Sequence, residues 1–272
     1  MNYTEFMNAM LCEIRGQVDA QVRTELYTVT KNNGTRRTGI LFKQEDSNLA
    51  PTIYLEEFYQ KYLKGQQVPD LADSICSIYQ EIRVKKTCDC QNLFDFNHVY
   101  KLIRRDANEE LLKQIPYEPF LDLAVVYYIQ IDNTRFGSAA IQIRNEHLRY
   151  WRVEKEEIRR LAEKNTPRIY PVQIRQIVRF MYVATNEQCS LGAAVMRYPD
   201  FRERVRGMIR GDFYILPSSI HEVILVPESF GLEPERMQEM VKEINQTGVA
   251  PEEVLSDSVY YFDGEEIRIV AK

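Results

Sequence analysis

The chain has 272 residues, 44% of them hydrophobic, enough apolar surface for one large core or two of ordinary size without disulfide staples. Its 35 basic and 40 acidic side chains leave a formal net charge of -5, so a phosphate backbone repels the molecule as a whole and nucleic acid is not the expected partner. Five cysteines, an odd and thinly spread set, read as reduced thiols of a cytoplasmic protein, and the apolar run Leu123 to Ile129 is far short of a membrane span.

The N-terminal residues lack the basic lead and continuous apolar block of an export signal. Instead Phe6, Met7, Met10, Leu11, Ile14, Val18 and Val22 recur at spacings of three and four, which predicts an amphipathic helix over residues 3–22, capped by Asn2 with Glu5 at its third position. Two β-rich segments around Asn32-Asn33-Gly34 then predict a hairpin, because Asn and Gly tolerate the positive φ of a tight turn. A short strand and a helix ending at Gly65 follow, and a clearer helix opens at Asp70 with Leu71, Ile75, Ile78, Tyr79 and Ile82 on one face. The polar stretch Lys85 to Asn92 reads as a surface loop or domain joint, dividing an N-terminal portion, residues 1–90, from a larger remainder, 91–272.

Beyond it, "FNHVYKLIRR" is ambiguous between strand and helix, and Asn108 opens a short capped helix that ends before Pro116. From Asp122 the order strand, strand, helix recurs: in 122–165, with its helix split near Val153; in "RFMYVATNEQCSLGAAVMRYPDFRERVRGMI", with Pro199 in the first helical turn; and in "DFYILPSSIHEVILVPESFGLEPERMQEMVKEIN". Asp263-Gly264 between two alternating segments predicts a last hairpin. The expected fold is α+β, antiparallel hairpins each followed by helices, with sheets packed against helices.

The run Ser218, Ser219, His221, Glu222 raises a choice between a catalytic site and a turn. Pro217-Ser218-Ser219 suits a chain reversal, since Pro fixes φ and Ser bonds neighbouring backbone. For catalysis, Ser219 and His221 would share one strand face while Glu222 points away, and no strand-to-helix serine elbow is present. Cys88 and Cys90 with His98 lack the second paired half of a zinc site, so no metal is expected, and with no glycine-rich phosphate loop no cofactor is expected either. His147 and Trp151 read as packing or surface residues. Arg202, Arg206 and Arg210, at helical spacing, offer a basic face for phosphate or an acidic partner, with a solvated helix face as the plainer reading. Whether Asp257 and Tyr260 join Ser219 and His221 in one cleft decides whether the C-terminal region holds a site.

The residues "GDFYILPSSIHEVILVPES", "VKEINQTGVAPEEVLSDSVYYFD" and "NEELLKQIPYEPFLDLAVVYYI" resemble those of an uncharacterised group in clostridial bacteria, the domain-of-unknown-function family 5688, from about Thr24 to Asp263. The layout is more distantly similar to a bacillus YtpQ-like family. The resemblance implies a bacterial cytoplasmic protein carried on mobile elements or phage, and it assigns no catalytic or binding residue. The missing cofactor and catalytic signatures and the 17 tyrosines lead to the expectation of a non-enzymatic protein-binding or regulatory protein whose partner is another protein, with no membrane association, and with open strand edges that leave a homo-oligomer available. The alternatives are a hydrolase or transferase using Ser219, His221 and Glu222, and a nucleic-acid or nucleotide binder using Arg202, Arg206 and Arg210.

Overall fold

The computed structural model describes residues 1–44, 50–84, 97–134 and 137–272. They form two compact units, one of residues 1–31, 35–96 and 131–139, the other of 32–34, 97–130 and 140–272. The expected loop at Lys85 to Asn92 and the Cys88-Asp89-Cys90 motif lie outside the described residues. All strand pairs described are antiparallel, which makes the protein an α+β fold.

The first unit opens with α1 (Tyr3–Gln17), whose capping box is complete: the Asn2 side chain accepts from Glu5 N–H and the Glu5 carboxylate accepts from Asn2 N–H. The helix stops earlier than its periodicity suggests, and Val22 already begins β1 (Val22–Thr30). That strand pairs with β2 (Arg36–Gln44) in the register Val22↔Gln44 to Thr30↔Arg36, and β2 pairs with β3 (Thr52–Tyr54). Next come α2 (Glu56–Leu63), ended by Gly65 at φ 101°, and α3 (Val68–Val84). The core is built from turns spaced four apart: Phe6, Met10 and Ile14 of α1 meet Leu71, Ile75 and Tyr79 of α3, with Ile40 and Phe42 of β2 beneath and Phe42 stacked on Tyr79 at 4.2 Å.

In the second unit the ambiguous "FNHVYKLIRR" resolves as β4 (Asn97–Arg104). Asn108 precedes α4 (Glu109–Leu112), but its side chain does not cap the helix; it donates instead to Asn32, Asn33 and the carbonyl of Arg104. Then β5 (Tyr117–Phe120), β6 (Leu123–Thr134) and β7 (Gly137–Gln142) complete a sheet in which β6 lies between β4 and β5 and also pairs with β7. Both faces of β6 are covered between Leu123 and Tyr127, which explains its unbroken apolar run. The helix after it is split, α5 (Asn145–Trp151) and α6 (Lys155–Ile169), by Arg152 at φ 56°. Through Thr166, whose hydroxyl accepts from Tyr100 N–H at 3.0 Å, α6 is keyed to β4.

The following unit departs from the expected order. Its two strands are β8 (Val172–Val178) and β9 (Met181–Asn186), reversed at Arg179-Phe180, while the apolar "GAAVMR" is a 3₁₀ helix, Gly192–Arg197, and not a strand. A run of four small and apolar residues carries no period to tell the two apart. Pro199 lies before α7 (Phe201–Ile209) rather than inside its first turn. The last elements are β10 (Phe213–Leu216), β11 (Val223–Pro227), α8 (Pro234–Thr247), β12 (Val259–Phe262) and β13 (Ile267–Ala271), joined around Gly264 at φ 97°. Six strands make one sheet in the order β13-β12-β10-β11-β9-β8. Leu216, Val226 and Val259 meet Met237 and Val241 of α8 on one face; Phe213 and Phe262 pack at 5.0 Å on the other, beneath Arg202 and Arg206 of α7.

The ribbons on either side of Pro217 do lie side by side, with Leu216 opposite Ile224. The reversal, however, is not at Pro217 to Ser219. That stretch stays extended and pairs with the chain after α8: Leu255 N–H donates to Ser218 O, Ser256 N–H to Pro217 O, and Ile220 N–H to Glu253 O. The turn falls on Ile220 to Glu222 because the backbone of 217–219 is already committed to a partner.

Candidate functional site: a basic cleft beside the 250–258 strap

The segment from Ala250 to Ser258 has almost no regular structure, yet side chains from many parts of the second unit converge on it. Asn32 donates to Glu252 O, and Asn33 to the carbonyls of Pro251 and Val254. Glu253 accepts from the imidazole of His221, Asn245 donates to Ser256 O and to the Asp257 carboxylate, and Arg104 donates to the other oxygen of Asp257 at 2.8 Å. A chain without its own ladder must satisfy its polar groups elsewhere, and these side chains do so.

At the C-terminal end of this strap the Asp122 carboxylate, set in the β5–β6 turn by Leu121 at φ 56°, accepts three hydroxyls. Ser256 donates at 2.6 Å, Ser258 at 2.9 Å, and the buried Tyr260 completes the set. Burial first, and the Asp122 charge beside it, push the Tyr260 phenol far above the usual tyrosine range, so Tyr260 acts as a hydrogen-bond donor and not as a base.

Arg104 holds two carboxylates at once, Asp106 through a two-nitrogen fork at 2.8 and 3.3 Å and Asp257 through its third nitrogen. The Asp106 hydrogen bond leads in raising the arginine's own value, and the same bond lowers Asp106 below the carboxylate range. For Asp257, burial works upward, but hydrogen bonds from Asn245 and Arg104 outweigh it and the net shift is down.

These groups line a cleft of about 240 Å³ together with Arg105, Lys242, Ser258 and Lys272. Its three acids, Asp106, Asp122 and Asp257, are all engaged. Of its cations Arg104 is engaged, while Arg105, Lys242 and Lys272 are exposed and have no ion-pair or hydrogen-bond partner among the described residues. What the cleft offers is therefore positive charge beside carboxylates fixed by hydrogen bonds. Such positive charge is complementary to an anion.

Of the residues singled out in the sequence, Asp257 lines this cleft and Tyr260 stands behind it, joined through Asp122. Ser219 and His221 do not line it. The imidazole of His221 has both nitrogens engaged, Nδ1 accepting from Leu191 N–H at 3.2 Å and Nε2 donating to Glu253 at 3.2 Å, while the Ser219 hydroxyl accepts from His221's own amide at 3.0 Å. Glu222 is exposed. These residues knit the strap to the loop before the 3₁₀ helix.

Arg202 and Arg206 lie over the Phe262 ring, and Arg202 donates to Glu265 O, so both clasp the β12–β13 turn. Arg210 leaves their face, because it is the left-handed C-cap of α7 at φ 59°. Buried His98 lies edge-on to Trp151 at 6.1 Å, and no cluster of three potential ligands for a metal ion occurs among the described residues.

Arg104, Arg105, Asp122 and Lys242 were not singled out from the sequence. The available signal was Ser256-Asp257-Ser258, where alternation turns both serines to one side and Asp257 to the other, as happens here. The model of a "Family of unknown function (DUF5688)" matches residues 3–181 and 178–264. The chain belongs to the DUF5688 family. Both walls of the cleft, Arg104 to Asp122 and Lys242 to Ser258, fall inside the family match, as does the strap. Neither a curated protein nor a solved structure matches the chain. No helix among the described residues is long and apolar enough to cross a membrane.

Proposed function

We propose that this DUF5688 protein is a non-enzymatic binding protein that holds an acidic group of a protein partner in the cleft beside the strap. The observation that carries the reading is the contrast inside the cleft: three carboxylates tied by hydrogen bonds, and three cations, Arg105, Lys242 and Lys272, with no ion-pair or hydrogen-bond partner among the described residues. An arginine fork and a nearby ammonium complement a carboxylate, and the ordered acids beneath fix the walls. Because the whole chain carries a net charge of -5, the attraction is local to the cleft and selects a partner that presents its acid on a narrow projection. A cytoplasmic setting accords with the free thiols of Cys12, Cys76 and Cys189.

The test is fluorescence polarisation of a labelled hexaglutamate peptide with the full chain. Binding should weaken as salt rises, and Arg105→Glu or Lys242→Glu should each weaken it roughly 10- to 100-fold, the loss of one charge-assisted contact. Equal binding by wild type and both reversals, with unchanged thermal melts, would refute the reading.

A further inference from the structure

Lys101 stands in the middle of β4, opposite Val126 of β6. Alternation places Val99 and Ile103 on its side of the sheet, and the cross-strand partners of those two are Tyr128 and Ala124. This face is apolar: Ile103, Ala124 and Val126 belong to one buried cluster with Tyr117 and Tyr128 packed on it. Glu118, the nearest acid on β5, is opposite Val125 and so points to the other face, where it pairs with Arg159 at 3.2 Å.

Among the described residues the Lys101 ammonium has no carboxylate or hydrogen-bond acceptor, and its contact is the Tyr128 ring, 4.4 Å from Nζ to the centroid. A ring face attracts a cation more weakly than a carboxylate does and replaces little of the lost hydration. The amine therefore gives up its proton easily; burial lowers Lys101 from the usual lysine value to about 8. Both Lys101 and Tyr128 nevertheless keep part of their surface open to solvent. A desolvated amine that solvent still reaches, walled by aliphatic side chains and unpaired with any acid, has the surroundings of reactive lysines rather than of surface ones.

We propose that Lys101 is a nucleophilic amine that captures small aldehydes or ketones as an imine. The neutral nitrogen adds its lone pair to the carbonyl carbon, forming C–N. The former carbonyl oxygen takes up two protons, those released by the nitrogen, and leaves as water, giving C=N with no change of oxidation state. This inference is independent of the acidic-group cleft, which does not include Lys101.

The test is reductive alkylation of the folded full chain with butanal and cyanoborohydride at pH 7, followed by mass spectrometry of its lysine peptides over time. Relative to an ordinary lysine, a group near 8 holds on the order of 300 times more neutral amine at pH 7, a gain reduced to tens of fold by its lower intrinsic nucleophilicity. Lys101 should therefore label at least about 10-fold faster than the exposed Lys64 and Lys164, and this advantage should vanish in the urea-unfolded chain. Labelling no faster than Lys64 and Lys164, or an advantage that survives unfolding, would overturn the proposal.

Discussion

Replacing Asp122 with alanine removes the acceptor of three hydroxyls in one step. Tyr260 is 0% exposed, Ser256 1% and Ser258 2%, so the three donors themselves have little access to solvent. A buried donor left without an acceptor costs about 1–3 kcal/mol. The serines can rotate toward neighbouring carbonyls, whereas the tyrosine is fixed by its ring, so the expected total is about 3–5 kcal/mol rather than the sum of three full penalties. For a chain of this size that corresponds to a fall of roughly 6–20 °C in melting temperature. Urea unfolding followed by the fluorescence of Trp151, which lies in the same unit, measures it. The mechanism is isolated by a cycle with Tyr260→Phe: with the phenol already gone, Asp122→Ala should cost less by about 1–3 kcal/mol. Additive effects, or a loss under about 1 kcal/mol for Asp122→Ala, would show that the carboxylate does not hold the end of the strap.

Other expectations follow from single positions. A methyl group at Gly192 would run into Thr185 Oγ1 and the His221 carbonyl and stand 2.8 Å from Asn186 N, so Gly192→Ala should lower stability by about 1–3 kcal/mol; an unchanged urea midpoint would contradict the packing. Asn33 sits at φ 56° and donates to two strap carbonyls, so Asn33→Gly should cost about 1–2 kcal/mol and Asn33→Ala about 1 kcal/mol more, the difference reporting the left-handed backbone. Asp106 and Asp257 have folded values below their unfolded ones, so the unfolded chain takes up protons first. Their stabilisation is complete above roughly pH 5 and is lost as pH falls through the folded values, and Asp257→Asn should flatten the decline of the urea midpoint below that pH; an unaltered slope would rule out its share.

What could be read from the sequence is what short-range chemistry determines. Asn2 with Glu5, Asn33-Gly34 and Asp263-Gly264 each need only neighbours a few residues away, and each forms as expected. The 3₁₀ helix at Gly192–Arg197 was misread as a strand because its apolar residues are too few to show a period, and its geometry depends on left-handed Leu191 and on His221, 30 residues away, accepting from Leu191 N–H. Apart from Asp257 and Tyr260, the cleft was illegible for the same reason on a larger scale. Asp122 and Ser256 are 134 positions apart, and Arg104 and Asp257 are 153 apart. Beyond Ser256-Asp257-Ser258 nothing local marks the members of these pairs; Asp122, a part-buried carboxylate with three hydroxyl donors, looks, in the sequence, like an ordinary turn aspartate. Pro217 to Ser219 shows the converse error, a stretch with turn chemistry whose backbone is held straight by Ser218 O and Pro217 O accepting from the strap.

The most direct test of the account is a crystal structure of the full chain with hexaglutamate bound. It should place a peptide carboxylate within about 3 Å of both Arg105 and Lys242, with Asp257 still on Arg104 and Asp122 still beneath its three hydroxyls. A peptide seated elsewhere, or a cleft without it at saturating concentration, would contradict the claim that these two cations form the binding site.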